Sequence, residues 1–169
     1  MRRGLWDALG PVRDRGLPVK WVRPESLHLT LKFLGDVDDA REPALRAALA
    51  QAAGGGPEPR GVTVHVEGFG VFPDFQRPRI VWAGVAADPA LELLQHRVES
   101  AFAPLGFPTE ARHFRPHVTL GRGDLRGIER GLAALAFTAT AIVPQIDLME
   151  STPQSGGAVY EVKHRERLS

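Results

Sequence analysis

The chain has 169 residues, which suits a single domain, and its 43% hydrophobic and 24% charged residues are typical of a globular protein. It contains no cysteine, which excludes disulfides, thiolate metal sites and a cysteine nucleophile. The formal net charge of +1 argues against a broad surface for nucleic acid, so any anionic ligand must be bound at a local site. No apolar stretch is long enough to span a membrane and the N-terminus does not resemble a secretory signal, so we expect a cytoplasmic protein.

The first half of the sequence predicts two helices and four strands. Leu5, Leu9 and Val12 repeat at helical spacing, and Gly16 and Pro18 end that helix. Alternating apolar and polar residues predict the strands over 27–35 and 62–70, and a continuous apolar run predicts a buried strand over 80–86. Glycine-rich and proline-rich segments form the connections. The predicted elements are a helix over 2–15, strands over 19–22 and 27–35, a helix over 40–53, a flexible connection over 54–61, and strands over 62–70 and 80–86 with a loop at 73–79 between them.

The second half predicts a similar order of elements. Leu91, Leu94, Val98 and Phe102 lie on one side of its first helix, which ends before Gly106. The predicted elements are a helix over 89–103, strands near 109–114 and over 115–122, a short helix over 124–135, and strands near 137–149 and 158–164 joined by a loop that contains PQSGG at 153–157.

This order indicates an internal duplication within a single domain, with repeats at roughly 2–86 and 87–169. Each repeat carries a Gly-x-Pro turn (GLP at 16–18, GFP at 106–108), then Arg-Pro, then a His-x-Thr-Leu string (HLTL at 28–31, HVTL at 117–120). Two related halves packed face to face would form a cleft around a pseudo-two-fold axis. The two His-x-Thr strands would meet across that axis.

Each His-x-Thr strand is expected to have one apolar face and one reactive face. Residues i and i+2 of a strand project to the same side, so His28 points with Thr30 and His117 with Thr119. A single copy is weak evidence, because a buried histidine bonded to a hydroxyl would explain it. Two copies at matching places favour a functional pair. The apolar faces predicted to be buried are Leu27, Leu29, Leu31 and Phe33 in the first copy and Val118 and Leu120 in the second.

Two imidazoles on opposite sides of one reacting atom can divide the roles of general acid and general base. Two threonine hydroxyls can donate hydrogen bonds to non-bridging oxygens between them. This set suits an in-line displacement at phosphorus, and Arg122 is placed to add positive charge to the phosphate. The chemistry requires no metal or other cofactor, and the sequence lacks the ligand clusters of a metal phosphatase.

These strings resemble the two-histidine (2H) phosphoesterase superfamily, and within it the bacterial and archaeal RNA 2′,3′-cyclic phosphodiesterases, also called 2′-5′ RNA ligases. The resemblance covers roughly residues 5–165. It rests on WVRPESLHLTLKFLGDV (21–37), GFGVFPDFQRPRIVWAGV (68–85), APLGFP (103–108), FRPHVTLGR (114–122) and IDLMEST with GGAVYEV (146–162).

The resemblance implies a bilobal α+β fold with one antiparallel sheet and helices in each lobe and the active site between the lobes. It implies hydrolysis of an RNA 2′,3′-cyclic phosphate end to a 2′-phosphate, with the reverse attack of a 5′-hydroxyl giving a 2′-5′ linkage. Carried over by motif, the active set is His28, Thr30, His117 and Thr119, and Arg122 matches a phosphate-contacting arginine. Our hypothesis makes His117 the base and His28 the acid. We expect a monomer that acts on RNA ends, tRNA-like or nucleotide, without a metal or membrane.

Further substrate contacts are predicted around the cleft. Arg77, Arg79 and Arg115 could meet backbone phosphates, although solvated structural arginine is the simpler explanation. Phe75, in the loop before a buried strand, could stack on a terminal base. Trp82 is expected in the core, where its indole nitrogen would need a partner.

The sequence departs from the family at its start, because Met1 leads directly into the first helix without the short hydrophobic strand that family members usually have. We expect an exposed sheet edge as a result. Two other functions stay open from the residues. One is a phosphodiesterase for small cyclic nucleotides or ADP-ribose cyclic phosphate; the other is a non-catalytic RNA-binding module, against which the intact His and Thr of both copies argue.

Overall fold

The computed structural model describes residues 1–55, 61–154 and 157–169. Most of the predicted connection at 54–61, and part of the predicted loop at 153–157, lie outside these described residues. The fold is bilobal α+β and is built on two antiparallel sheets, so the predicted fold class is confirmed. Among the described residues, no helix is long and apolar enough to cross a membrane.

Within the described residues, the two lobes contain five helices and seven strands. The helices are α1 (Arg2–Ala8), α2 (Gly10–Arg13), α3 (Glu42–Ala53), α4 (Pro89–Phe102) and α5 (Glu129–Ala133). The strands are β1 (Val19–Trp21), β2 (Val62–Phe72), β3 (Ile80–Val85), β4 (His117–Gly123), β5 (Thr138–Val143), β6 (Gln145–Gln154) and β7 (Gly157–Arg167). Short 3₁₀ turns occupy Pro24–Ser26, Asp39–Arg41 and Ala103–Leu105.

The larger sheet has the strand order β1-β4-β3-β2-β5. It takes β1, β2 and β3 from the first half of the sequence and β4 and β5 from the second half. Alternate residues of its central strands are buried, with Val81 and Ala83 of β3 fully inaccessible. The opposite face of the same strands is only half-buried, and it forms the cleft face. The division of the sequence into two repeats stays a prediction.

The smaller sheet is the hairpin β6–β7. Helix α3 packs against both of its strands, α4 packs against β2, and the two helices pack against each other. Pro144 separates β5 from β6, because proline cannot donate a ladder hydrogen bond. The single strand predicted at 137–149 is therefore two strands, which belong to different sheets.

Three predicted elements differ from the structure for identifiable reasons. The helix predicted at 2–15 is divided at Leu9 by the Gly10-Pro11 pair. The strand predicted at 109–114 is irregular, because its backbone groups bond to side chains: Glu110 N donates to Glu99, and Arg112 N donates to Glu110. The helix predicted at 124–135 is one short turn, α5.

The segment 27–35 is also not a regular strand. Its only ladder contact is an isolated antiparallel bridge between Leu29 and Val118, and the chain bends at Leu31. Leu27 is buried as predicted, but Phe33 lies beyond the bend and is 80% exposed. The predicted burial of Phe33 was therefore wrong, because strand alternation ends before it.

Candidate active site

The isolated bridge between Leu29 and Val118 brings the two His-x-Thr segments side by side and antiparallel. Continued by one residue on either side, this register places His28 opposite Thr119 and Thr30 opposite His117. Both bridge residues face the core, so the four polar residues share the cleft face. In antiparallel pairing, diagonal neighbours are about 7–8 Å apart. In this register the two imidazoles are therefore diagonal neighbours.

Both imidazoles are oriented by the same local hydrogen bond. Nδ1 of His28 lies 2.7 Å from the carbonyl oxygen of Ser26, and Nδ1 of His117 lies 2.7 Å from that of Arg115. A carbonyl oxygen only accepts, so Nδ1 carries the proton in each ring. Nε2 of each neutral ring is then a free base, and Nε2 of each protonated ring is an acid.

A β-bulge in β4 brings Arg122 to the same face as the histidine. Thr119 pairs with Trp82 and Gly121 pairs with Val81, so Leu120 is the additional residue. Arg122 then pairs with Ile80, which shares the face of Trp82. A regular strand would turn a residue five positions after His117 to the opposite face. The bulge thus places an arginine on the same face as the four motif residues.

Aromatic rings form one wall of the cleft beside His117. The Phe72 ring meets the imidazole edge-on with centroids 5.1 Å apart, and Trp82 stacks on Phe72 at 5.2 Å. Trp82 crosses Gly70, where any side chain would overlap the indole. Trp82 therefore lies on the cleft face and is half-buried there, not in the core. Its Nε1 is buried and has no hydrogen-bond partner among the described residues.

Tyr160 of β7 forms the corresponding contact with the other histidine. Its ring centroid lies 4.6 Å from that of His28, with the planes at 64°. Sequence reasoning missed this residue, because it lies in the last strand, far from either motif. The only available signal was that it is the single tyrosine of the chain.

A buried ion pair supports the first motif. Lys32 Nζ lies 2.5 Å from Glu99 Oε2 of α4, and both side chains are 7% exposed. The ammonium also donates to Pro108 O, and the carboxylate accepts from the Gln95 amide and Glu110 N. Each charge of the pair therefore has hydrogen bonds beyond its ionic partner, as buried charges require. It ties the segment that carries His28 to the body of the fold.

The other predicted contact residues lie around the cleft without converging on it. Arg115 contributes its carbonyl oxygen to His117, while its side chain is exposed. Arg77 and Phe75 are exposed in the 73–79 loop, and Phe75 is 47% accessible. The structure therefore joins Arg122 to the four motif residues and leaves these three at the periphery.

Arg79 is an exposed residue next to β3. Hydrogen bonds from Arg126 are the main cause of a lowered pKa at Asp124, and the charge of Arg79 is the smallest contribution to the same shift. The Arg79 side chain therefore adds positive charge near the end of β4 without an ion pair to Asp124 among the described residues.

The remaining histidines lie outside the set. His65 Nδ1 is 2.9 Å from Thr140 Oγ1 on the exposed surface of β2 and β5. His164 lies 2.7 Å from Glu166 on β7. His96 and His113 are exposed.

A known protein family matches most of the chain. The family model described as the 2'-5' RNA ligase superfamily matches residues 3–152. The chain belongs to this superfamily. The resemblance stated from the two His-x-Thr motifs is thereby confirmed.

Curated relatives in bacteria and archaea carry the name RNA 2',3'-cyclic phosphodiesterase. The protein of Methanothermobacter thermautotrophicus is 31% identical over 93% of this chain and 89% of its own length. That of Aquifex aeolicus is 33% identical over 85% of this chain and 78% of its own length. The protein of Geobacillus stearothermophilus is 36% identical over 79% of this chain, which spans 44% of that relative's length.

Solved structures show the same fold. A protein of Thermus thermophilus superposes with a TM-score of 0.82 at 27% identity, covering 99% of this chain and 91% of that one. E. coli LigT complexed with 3'-AMP superposes with a TM-score of 0.74 at 27% identity, covering 96% and 90%.

Proposed function

We propose that this protein hydrolyses the 2′,3′-cyclic phosphate at an RNA end to a 2′-phosphate by acid/base catalysis with two histidines. The observation that carries the proposal is the matched pair of imidazoles. Each is held through Nδ1 by the carbonyl two residues earlier, and each offers Nε2 on the same face as two threonines. The names of the curated relatives, all RNA 2',3'-cyclic phosphodiesterases, support the same reaction.

In the proposed reaction, Nε2 of neutral His117 takes a proton from water as the water oxygen bonds to phosphorus. The P–O3′ bond breaks, and protonated His28 donates its Nε2 proton to the leaving 3′ oxygen. Thr30 and Thr119 donate hydrogen bonds to the non-bridging oxygens, and Arg122 neutralises the charge that builds there. The residues thus supply acid, base and cation, so we propose a reaction that needs no metal.

The same arrangement can run in reverse. A 5′-hydroxyl in place of water would give a 2′-5′ linkage, since the strained cyclic ester already holds the energy for the bond. The exchange of roles between the histidines then follows from microscopic reversibility. We further propose a cytoplasmic monomer whose RNA substrates include tRNA-like ends.

The substrate test uses an RNA with a 2′,3′-cyclic end, incubated with EDTA and no added metal. We expect a 2′-phosphomonoester as the only product. A 3′-phosphomonoester, or turnover abolished by EDTA, would contradict the proposal. Parallel assays with a cyclic mononucleotide and with ADP-ribose cyclic phosphate test the small-molecule alternative. Binding of RNA without turnover, unchanged by His28→Ala, would favour the non-catalytic alternative.

The threonines have their own test. Thr30→Val and Thr119→Val each remove one donor at nearly constant volume, and we expect kcat to fall about 10²-fold in each. Thr140→Val is the matched control, since that hydroxyl bonds His65 outside the cleft. Equal rates in all three variants would remove the threonines from the mechanism.

A further inference from the structure

We propose that Lys20, the cross-strand neighbour of Arg122, binds the phosphodiester that precedes the cyclic phosphate, so that the enzyme favours an oligonucleotide end over a cyclic mononucleotide. The inference rests on the proposed function, because it extends that substrate by one nucleotide. Lys20 lies in neither motif.

The sheet register places Lys20 on the cleft face. Lys20 of β1 is the direct partner of Arg122 of β4, which is the partner of Ile80 of β3. Its neighbours Val19 and Trp21 turn the other way, against Gly121 and the core. Lys20 and Arg122 are therefore cross-strand neighbours on the surface that carries Thr119, and both are exposed.

The charge pattern favours an anionic ligand at this position. Like charges directly opposite each other on a sheet are destabilising. Within the described ranges, neither Lys20 nor Arg122 forms an ion pair, whereas the chain's other two lysines each have a carboxylate partner, Glu99 for Lys32 and Glu150 for Lys163. A phosphate between the two cations would remove the repulsion.

The spacing fits a step along an RNA strand. Arg122 pairs with Ile80 of β3, and Thr119 pairs with Trp82, two residues further along the same strand. The two positions are therefore separated by about 6.8 Å along the strand direction. Lys20 lies one strand further out. With the cyclic phosphate held by the threonines and Arg122, the next phosphate of the RNA strand is therefore placed to reach Lys20.

The β6–β7 hairpin borders the surface between the candidate active site and Lys20. Gly157, at the start of β7, approaches Lys20, since a Cβ at Gly157 would lie 3.9 Å from the Lys20 Cβ. Tyr160, three residues later on β7, contacts His28. One strand therefore borders the cleft from the reactive histidine to Lys20, so the candidate subsite is continuous with the active site.

The test compares three substrates: 2′,3′-cyclic AMP, a diadenosine dinucleotide with a 2′,3′-cyclic end, and the same dinucleotide with a neutral methylphosphonate linkage. The variants are Lys20→Gln and the matched control Lys163→Gln. We expect Lys20→Gln to raise KM for the charged dinucleotide about 5- to 10-fold. It should leave cyclic AMP and the methylphosphonate substrate unchanged. The salt dependence of dinucleotide KM should weaken by about 0.7 in log–log slope.

Two results would overturn the inference: an equal loss on all three substrates, which would place Lys20 at the cyclic phosphate itself, or no change on any of them. Direct binding of the 2′-phosphorylated dinucleotide separates this inference from the proposed function. If the wild type binds that dinucleotide but hydrolyses none of the substrates, the reaction proposal fails. A binding loss confined to Lys20→Gln would then still support the subsite, and equal binding by both variants would refute it.

Discussion

The two His-x-Thr segments carry the same chemistry on different supports. The second copy lies within β4, hydrogen-bonded to β3 along its length and to β1 at its end. The first copy has a single bridge, at Leu29, and is tied to the fold by the buried Lys32–Glu99 pair. Yet both histidines make the same bond to the carbonyl two residues earlier. Local backbone geometry therefore orients the rings. The contacts that hold the two segments in the fold differ, so different substitutions should disrupt them.

The largest effect should come from removing either imidazole. We expect His28→Ala and His117→Ala each to lower kcat/KM about 10³-fold, within the range of acid/base contributions. His65→Ala is the control, since it removes another imidazole bonded to a hydroxyl. If His117 is the base, its loss abolishes the acidic limb of the pH–rate profile. Loss of the basic limb, with the acidic limb retained, would reverse the two roles.

The contacts that hold the first His-x-Thr segment in place should be lost when Lys32 is replaced. Lys32→Met leaves the Glu99 carboxylate buried and unpaired, which costs about 3–5 kcal/mol of folding stability. The double variant Lys32→Met/Glu99→Leu removes both charges and should recover most of that loss. Chemical denaturation measures both changes. Equal destabilisation in the single and double variants would mean that packing, not charge, explains the effect.

The packing beside the second His-x-Thr segment should be disrupted by a substitution of Gly70. An added methyl in Gly70→Ala would overlap the Trp82 indole and displace the aromatic wall beside His117. Overpacking of this kind costs about 1–3 kcal/mol. Gly54→Ala, where the nearest atom to an added Cβ is 3.6 Å away, is the control. A variant as stable and active as the wild type would show that the indole moves aside freely.

The aromatic partner of the first histidine should have a smaller effect. Tyr160→Ala removes a ring contact worth about 1 kcal/mol, so we expect kcat/KM to fall about fivefold. Tyr160→Phe keeps the ring and should retain the wild-type rate. A loss in Tyr160→Phe equal to that in Tyr160→Ala would assign the effect to the hydroxyl instead.

The smallest effect concerns the exposed ion pair at the end of β4. Hydrogen bonds from Arg126 lower the pKa of Asp124 below its ordinary 3.8. The ion pair therefore contributes its full stability above the ordinary pKa of an aspartate. That contribution is lost as the pH falls through the lowered pKa of Asp124. Arg126→Gln should thus reduce the drop in Tm between about pH 5 and pH 2 slightly, without changing turnover. Identical curves would show that the pair contributes nothing.

Sequence patterns predicted much of this fold, because the spacing of apolar residues along a strand or helix determines which of its faces is buried. The alternation in β2, the apolar run of β3 and the helical spacing of α4 correspond to buried faces in the structure. The duplicated motif predicted that His28 and His117 belong to one site. What the patterns could not predict depends on long-range partners: the Lys32–Glu99 pair, which follows the bend at Leu31, and the Tyr160 contact. Local alternation carries no information about either.

The extra residue at Leu120 makes the second motif sensitive to strand register as well as to side-chain identity. If β4 paired with β3 without the bulge, regular pleating would turn the Arg122 guanidinium from the cleft into the hydrophobic interior, although every polar group of the motif would still be encoded. In any protein, a histidine and an arginine separated by an odd number of positions on one strand can act together only if the ladder is interrupted between them. Such odd spacing can therefore be used to search sequences for irregular strands at phosphate-binding sites.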